Sequence, residues 1–331
     1  MFQRWVFVLF ISVFVFSHNA TAGNNFEIVT LGDRGGIQDG NLTAFLLKAS
    51  KDKNYVTLDA GTLVNGLIVA EQKGTFEHVK VPDSSPYNKV GYLLKERVKG
   101  YFISHAHLDH VAGMIIASPD DSGKSIYGLA SVNQALSSSY FNWVSWPNFG
   151  DRGDGFQLKK YKYNDMPPKK WLDVKGTSLR VKAFPLSHSG IESTAFLFSN
   201  EDAAMVYLGD TGPDKVEKSD SLNQVWTSLV PYIQAGNLKG IMIEVSFTNA
   251  VKDTMLFGHL TPDWLITELK QLERKAGGKG SLEDLKIVIS HVKYSLKKGE
   301  DPKVVIKRQL KEKNDLGVEF IFPVQGEGLI L

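Results

Sequence analysis

The sequence predicts an α/β fold in which two sheets pack face to face and helices flank them. Short strand-like runs alternate with helical patterns along most of the 331 residues. That length is ample for one hydrophobic core, and no repeat or low-complexity stretch divides it. Strand number and alternation together fit a two-layer sheet sandwich.

Strand-like runs occupy 26–31, 42–47 and 55–58, the last ending on Asp59-Ala60-Gly61, and a helical pattern covers 63–71. The run 100–103 leads into a histidine-rich segment, whose continuation Val111-Ala112-Gly113-Met114-Ile115-Ile116-Ala117 suits a buried helix. A further helical pattern covers 131–138. Between Trp143 and Pro168 the chain is rich in aromatics, Gly, Asp and Pro and reads as one long loop. In 179–184, Leu179, Val181 and Ala183 alternate with Arg180 and Lys182, as in a half-buried strand. Strands are then expected at 194–198, 203–208, 240–244, 285–289 and 318–322, with helices at 222–235, 263–275 and 302–313. Pro302 stands at the start of the last helix, where its missing N–H would be unbonded anyway.

The chemistry concentrates in His105-Ala106-His107-Leu108-Asp109-His110, directly after the apolar Tyr101-Phe102-Ile103. Three imidazoles and a carboxylate within six residues compete for partners unless a cation compensates them, and these are ligand types that zinc and its neighbours accept. His105 and His107 are two apart, so they project together from an extended or looping backbone and would diverge on a helix. They therefore leave the end of a strand. Asp109 and His110 begin the following helix, where an acidic first turn suits the macrodipole. One short loop thus offers two groups of ligands facing different ways, enough to start two adjacent metal sites. A surface histidine tract that picks up metals nonspecifically is the competing reading, and the apolar flanks on both sides count against it.

Three other histidines and one aspartate adjoin strand-like runs or loops. His188 follows the run 179–184 through Pro185-Leu186-Ser187, and His291 follows 285–289. The run 203–208 delivers Gly209-Asp210-Thr211-Gly212, a carboxylate beside glycines that can approach two cations at once. His259 lies in Phe257-Gly258-His259-Leu260-Thr261-Pro262, and Glu244 ends the run 240–244 without an assignable role. Each is weak singly: a lone strand-end histidine is commonly a satisfied structural residue, and Gly-Asp-Thr-Gly is commonly a plain turn. Their joint occurrence with the cluster carries the weight.

The order His105-x-His107-x-Asp109-His110, then His188, Asp210 and His291, resembles the metallo-β-lactamase superfamily. Within it, His105 to Pro119, the run Leu31-Gly32 to Gly35-Gly36-Ile37-Gln38-Asp39-Gly40-Asn41-Leu42, and Phe257 to Pro262 are similar to the class II 3′,5′-cyclic-nucleotide phosphodiesterases. The resemblance implies an αββα sandwich of two mixed sheets with two divalent metal ions at one edge: zinc first, with manganese or iron also compatible. It implies that His105, His107 and His188 bind one metal, Asp109, His110 and His291 the other, and that Asp210 bridges. It makes Asp59 the acceptor that fixes the tautomer of a ligand imidazole, against a plain turn carboxylate. Asp109 and His259 are the catalytic candidates. His259 donates to the phosphate or the leaving oxygen in this scheme, or else only packs.

Two metals about 3.5–4 Å apart can share a water, lower its pKa toward neutrality and present hydroxide to an electrophile. The implied reaction opens a 3′,5′-cyclic nucleotide, cyclic AMP and also cyclic GMP, to the nucleoside 5′-monophosphate. The same hydroxide would attack a lactam, lactone, thioester or other phosphoester, and a metal-dependent binding protein without turnover is a third class. The 143–168 loop is then either a cover over the metal cleft that stacks on a purine or a packed surface loop.

Residues 1–22 carry one positive charge, Arg4, before the apolar run from Trp5 to Phe16 and the small-residue end Ala20-Thr21-Ala22, the pattern of a secretory signal peptide. A membrane anchor is the alternative, although the run is short of the ~20 residues that span a bilayer. Cleavage after Ala22 leaves 23–331 as a single catalytic domain, with a periplasmic or extracellular location and no stable membrane anchor. Losing Arg4 lowers the formal charge of +2 by one, to +1, which argues against a nucleic-acid polymer as partner. The chain has no cysteine, which excludes disulfides and thiolate ligands and leaves metal binding to His and Asp.

Overall fold

The structure, a computed structural model, describes residues 25–331; the expected signal peptide lies outside them. Chain order is β1 (Phe26–Gly32), β2 (Arg34–Gly35), β3 (Ala44–Ala49), β4 (Tyr55–Leu58), α1 (Val64–Gln72), α2 (Lys89–Tyr92), a π-turn (Leu93–Arg97), β5 (Val98–Phe102), α3 (Leu108–Ala117), β6 (Lys124–Gly128) and α4 (Ala130–Ser139). There follow β7 (Tyr161–Asp165), β8 (Trp171–Asp173), β9 (Arg180–His188), β10 (Ile191–Asn200), β11 (Ala203–Leu208), α5 (Asp214–Glu217), α6 (Ser221–Gln234) and β12 (Leu238–Glu244). The chain ends with α7 (Pro262–Ala276), β13 (Lys286–Ser290), β14 (Val292–Lys293), α8 (Pro302–Lys313), β15 (Glu319–Ile321) and β16 (Gly328–Ile330).

Two seven-stranded mixed sheets form, in the orders β16-β1-β3-β4-β5-β6-β7 and β15-β13-β12-β11-β10-β9-β8. In the first, β4 to β7 run parallel; in the second, β11, β12, β13 and β15 do. The inner strands are buried on both faces, which is why they read as continuous apolar runs. In β10 and β11, Phe196, Phe198, Met205 and Tyr207 join the core between the sheets, while Leu197, Val206 and Leu208 join Trp226 of α6 and Leu265 and Leu269 of α7. Phe102 of β5 meets Phe196 and Phe198 edge-on across the sandwich, with centroids 5.4 and 5.1 Å apart. Each such aromatic, fully buried, contributes about 1.5–3 kcal/mol. The αββα expectation from the sequence holds.

The expected strands fall within a few residues of the observed ones, and 203–208 and 302–313 coincide with β11 and α8. The run 42–47 starts late, at Ala44, because the Leu42 N–H is taken by Thr62 Oγ1 at 2.8 Å. The long loop is shorter than expected. Its end, Tyr161–Asp165, is edge strand β7, and Phe149, Tyr161 and Tyr163 are buried in the core between the sheets. The short strands β6, β8 and β16 were not expected.

Candidate metal centre

The parallel strands of both sheets deliver their carboxyl ends to one edge of the sandwich, the place where open α/β sheets build sites. Asp59 follows β4, His105 and His107 follow β5, Asp210 follows β11, Glu244 ends β12 and His291 follows β13. His188 ends the antiparallel β9. As the spacing required, His105 and His107 stand in the link after a strand, and Asp109 and His110 lie in the first turn of α3. His259 precedes α7, whose N-cap Thr261 accepts from the Trp264 N–H.

All the predicted ligands come together. Five overlapping sets of ligand-type side chains form: His105-His107-His188, His105-His110-Asp210, Asp109-His110-His291, His188-Asp210-His259 and Glu244-His259-His291, with the ligand atoms of each set within 4.8 Å of one another. Asp210 is central. Its Oδ2 lies 3.2 Å from His291 Nε2, 3.3 Å from His110 Nε2 and 3.8 Å from both His105 Nε2 and His188 Nε2.

Four imidazoles are tethered through Nδ1, leaving Nε2 toward the centre. His110 Nδ1 pairs with Asp59 Oδ2 at 2.8 Å, His188 Nδ1 with the Gly258 carbonyl at 2.7 Å, His291 Nδ1 with Ser246 Oγ at 2.9 Å and His105 Nδ1 with Ser104 Oγ at 3.1 Å. Asp59 is fully buried and also accepts from Ser104 N–H, Ser104 Oγ–H and Tyr207 O–H. Asp109 Oδ2 accepts the Gly36 N–H at 2.7 Å. The close approach at β2 requires glycine: a Cβ on Gly35 would stand 2.2 Å from the His291 ring.

Three atoms show that a cation fits. His105 Nε2, His110 Nε2 and Asp210 Oδ1 are buried without any hydrogen bond, a condition that costs about 1–3 kcal/mol per group unless something else compensates it. Electrostatics agree. Burial pushes His105 and His107 below the usual histidine range, with neighbouring imidazoles adding to the effect. Burial acts the same way on His110, yet Asp210, Asp59 and Asp109 outweigh it and hold that ring well above the usual range. Burial would raise Asp109 and Asp210, but the surrounding imidazoles, His110 and His291 foremost, keep both carboxyls low. Without a metal, the carboxylates draw positive charge onto a buried ring, which a bound cation would replace.

The centre forms the floor of a cleft of about 560 Å³ reached by His107, Asp109, His188, Asp210 and His259. Its mouth carries Ile37, Leu108, Phe257 and Lys293. No residue of 143–168 lines it. Trp146 Nε1 instead donates to Ser118 Oγ at 3.0 Å and Trp143 Nε1 to the Phe156 carbonyl at 2.6 Å, which favours the packed-loop reading. Four non-glycine residues around the site have left-handed backbones, Asp59, Ser189, Phe257 and His291, with φ of 52°, 50°, 50° and 54°. Such strain persists only where the surroundings over-determine it.

Sequence reasoning left Glu244 without a role and missed Ser246, Ser104 and Tyr207. Glu244 Oε1 lies 2.7 Å from His259 Nδ1, and its Oε2 accepts from Ser246 N–H and Oγ–H. Burial raises the Glu244 carboxyl, but His259 prevails and holds it below the usual range. The strand-end position of Glu244 was its only signal; the three hydroxyls had none.

A family model described as class-II cAMP phosphodiesterases matches residues 25–326. A protein of Aliivibrio fischeri named 3′,5′-cyclic-nucleotide phosphodiesterase is 60% identical over 330 residues, covering 99% of both chains. The crystal structure of unliganded yeast PDE1 superposes with a TM-score of 0.77 at 24% identity, over 93% of this chain and 99% of that one. The metallo-β-lactamase fold protein YhfI from Bacillus subtilis gives 0.60 at 15% identity, over 93% of this chain and all (100%) of that one. The structural likenesses speak for the fold, and the sequence matches for descent. The chain belongs to the class-II cAMP phosphodiesterase family.

Proposed function

We propose that this protein hydrolyses 3′,5′-cyclic nucleotides, cyclic AMP and also cyclic GMP, to nucleoside 5′-monophosphates. The observation that carries the proposal is the convergence of unbonded His105 Nε2, His110 Nε2 and Asp210 Oδ1 on one buried centre at the floor of an open cleft. Family membership narrows the substrate among the esters such a centre could attack.

His105, His107 and His188 would hold one divalent cation, Asp109, His110 and His291 a second, and Asp210 would serve both. Two cations held there would supply the acidity that deprotonates a water near neutral pH and would neutralise phosphoryl charge. Zinc is the favoured metal, with manganese or iron compatible with the same donors. Asp59 holds His110 in the tautomer that frees Nε2, and Ser246 and the Gly258 carbonyl do the same for His291 and His188. His259, fixed through Nδ1 by Glu244, faces the cleft and donates a proton to the departing 3′ oxygen as the P–O3′ bond breaks. Water adds to phosphorus in line with that bond, so the phosphate stays on O5′.

The N-terminal pattern at 1–22 supports export, with 23–331 as one catalytic domain working in the periplasm. Purified protein offered cyclic AMP, cyclic GMP, a bis-phenyl phosphodiester and a cephalosporin tests the substrate class. The proposal expects 5′-AMP and 5′-GMP as products and chelator sensitivity. Release of 3′-AMP, or turnover of the cephalosporin alone, would overturn it.

A further inference from the structure

The floor of the cleft accounts for the phosphate, not for the base. Three large apolar side chains stand exposed at its mouth: Ile37 at 61%, Leu108 at 60% and Phe257 at 59%. Single exposed hydrophobics are ordinary on any surface; three around one opening form a patch that asks for an apolar ligand surface. Each sits one residue from a group tied to the metal centre. Ile37 follows Gly36, whose N–H holds Asp109; Leu108 precedes Asp109; Phe257 precedes Gly258, whose carbonyl holds His188.

Among the described residues that line the cleft, Phe257 brings the one planar π-face other than the imidazoles. Its backbone is left-handed, with φ of 50°, an uncommon state for a bulky side chain. The loop is locked in that state by Gly258. A Cβ there would lie 2.5 Å from Ser189 N and 2.6 Å from His188 Nδ1, so the chain can pass only as glycine at φ 77°. The backbone that carries this aromatic ring is thus fixed at the rim in a strained conformation, and the ring itself is exposed to water, so burial does not explain the strain.

We propose that Phe257 is the stacking platform on which the nucleobase of the substrate rests, with Ile37 and Leu108 as apolar flank; this rests on the cyclic-nucleotide reading of the same site. Stacking needs a π-face and no hydrogen-bond pattern, so the platform serves adenine and guanine alike. The phosphate is fixed below, so the ring acts on binding and leaves the chemical step unchanged.

The test measures binding of 5′-AMP and of ribose 5-phosphate to the metal-loaded protein by calorimetry, for the wild type, Phe257→Ala and Phe257→Trp. The wild type binds 5′-AMP more tightly than ribose 5-phosphate, by roughly 5- to 100-fold. Phe257→Ala erases that gap and Phe257→Trp keeps it. In turnover, Phe257→Ala raises KM for cyclic AMP and cyclic GMP by a similar factor with kcat unchanged. Equal wild-type affinity for the two ligands, or a gap that survives in Phe257→Ala, overturns the platform. So does a fall in kcat at constant KM, which would make the loop only a support for His188. Wild-type protein that prefers 5′-AMP yet leaves cyclic AMP intact would defeat the phosphodiesterase reading and keep the platform.

Discussion

Replacing Asp59 by Asn separates the support of a metal ligand from the metal ligands themselves. The carboxylate is fully buried and accepts four hydrogen bonds: Oδ1 takes the Ser104 N–H at 2.7 Å, and Oδ2 takes Ser104 Oγ–H at 2.7 Å, Tyr207 O–H at 2.5 Å and His110 Nδ1–H at 2.8 Å. Asn keeps the volume but turns one acceptor into a donor. Least is lost when the NH2 replaces Oδ1, because only the Ser104 N–H then faces a donor. One buried N–H is left unpaired, which lowers the stability of the metal-free protein by about 1–3 kcal/mol. The negative charge behind His110 also disappears. Partners of this kind are typically worth 10–100-fold in metal affinity or activity, about 1.4–2.7 kcal/mol. Competition with a chromophoric chelator reads the affinities, and thermal unfolding of the chelated protein reads the stability. The expected result is two classes of metal in Asp59→Asn, one about 10–100-fold weaker than in the wild type, with kcat/KM falling alongside. A variant that loses only stability and keeps both metals at wild-type affinity would refute the reasoning and leave Asp59 a plain strand-end acceptor.

His259→Asn lowers kcat by about 10²–10⁴-fold, the range for a lost general acid, while metal analysis still finds the wild-type content; loss of metal instead would make His259 a ligand. Asp301 caps α8 by accepting the Lys303 N–H at 2.8 Å and holds Arg34 of β2 through two bonds of 2.8 and 3.0 Å. Hydrogen bonding from Arg34, against opposing burial, keeps its carboxyl below the ordinary range. Asp301→Ala therefore costs about 1–2 kcal/mol at pH 7, mostly from the cap because the ion pair is partly exposed to solvent. A depressed folded pKa gives stability that is present above the unfolded value of about 3.9 and lost as pH falls through the folded one. Denaturant midpoints of the two proteins should accordingly converge below about pH 4; a gap that widens in acid contradicts this.

The fold was legible because the inner strands are buried on both faces. Runs such as Ala203–Leu208 are apolar throughout, and the start of α8 is marked by Pro302. What escaped is marginal in the same terms. β7 alternates Tyr161, Lys162 and Tyr163 as an edge strand should, but five residues inside a Gly- and Asp-rich stretch make a weak signal. The candidate ligands were legible because histidines are few, eight in the whole chain, and because four of the residues crowd into 105–110 while the others follow strand-like runs. Their supports were not. Ser104, Tyr207 and Ser246 are common residue types whose importance is set by which strand ends meet, and spacing along one chain does not encode that. Phe257 is an intermediate case: its neighbours drew attention, while its exposure and left-handed backbone belong to the folded molecule.

In the proposed centre Asp210 is shared by two cations that His105, His107, His188, Asp109, His110 and His291 would hold. Anomalous scattering from crystals of the metal-loaded protein tests it most directly. Two metal peaks per chain are expected, one bounded by His105, His107 and His188, the other by Asp109, His110 and His291, with the Asp210 carboxylate touching both. A single peak, or metal bound elsewhere while cyclic-nucleotide turnover persists, would contradict the account.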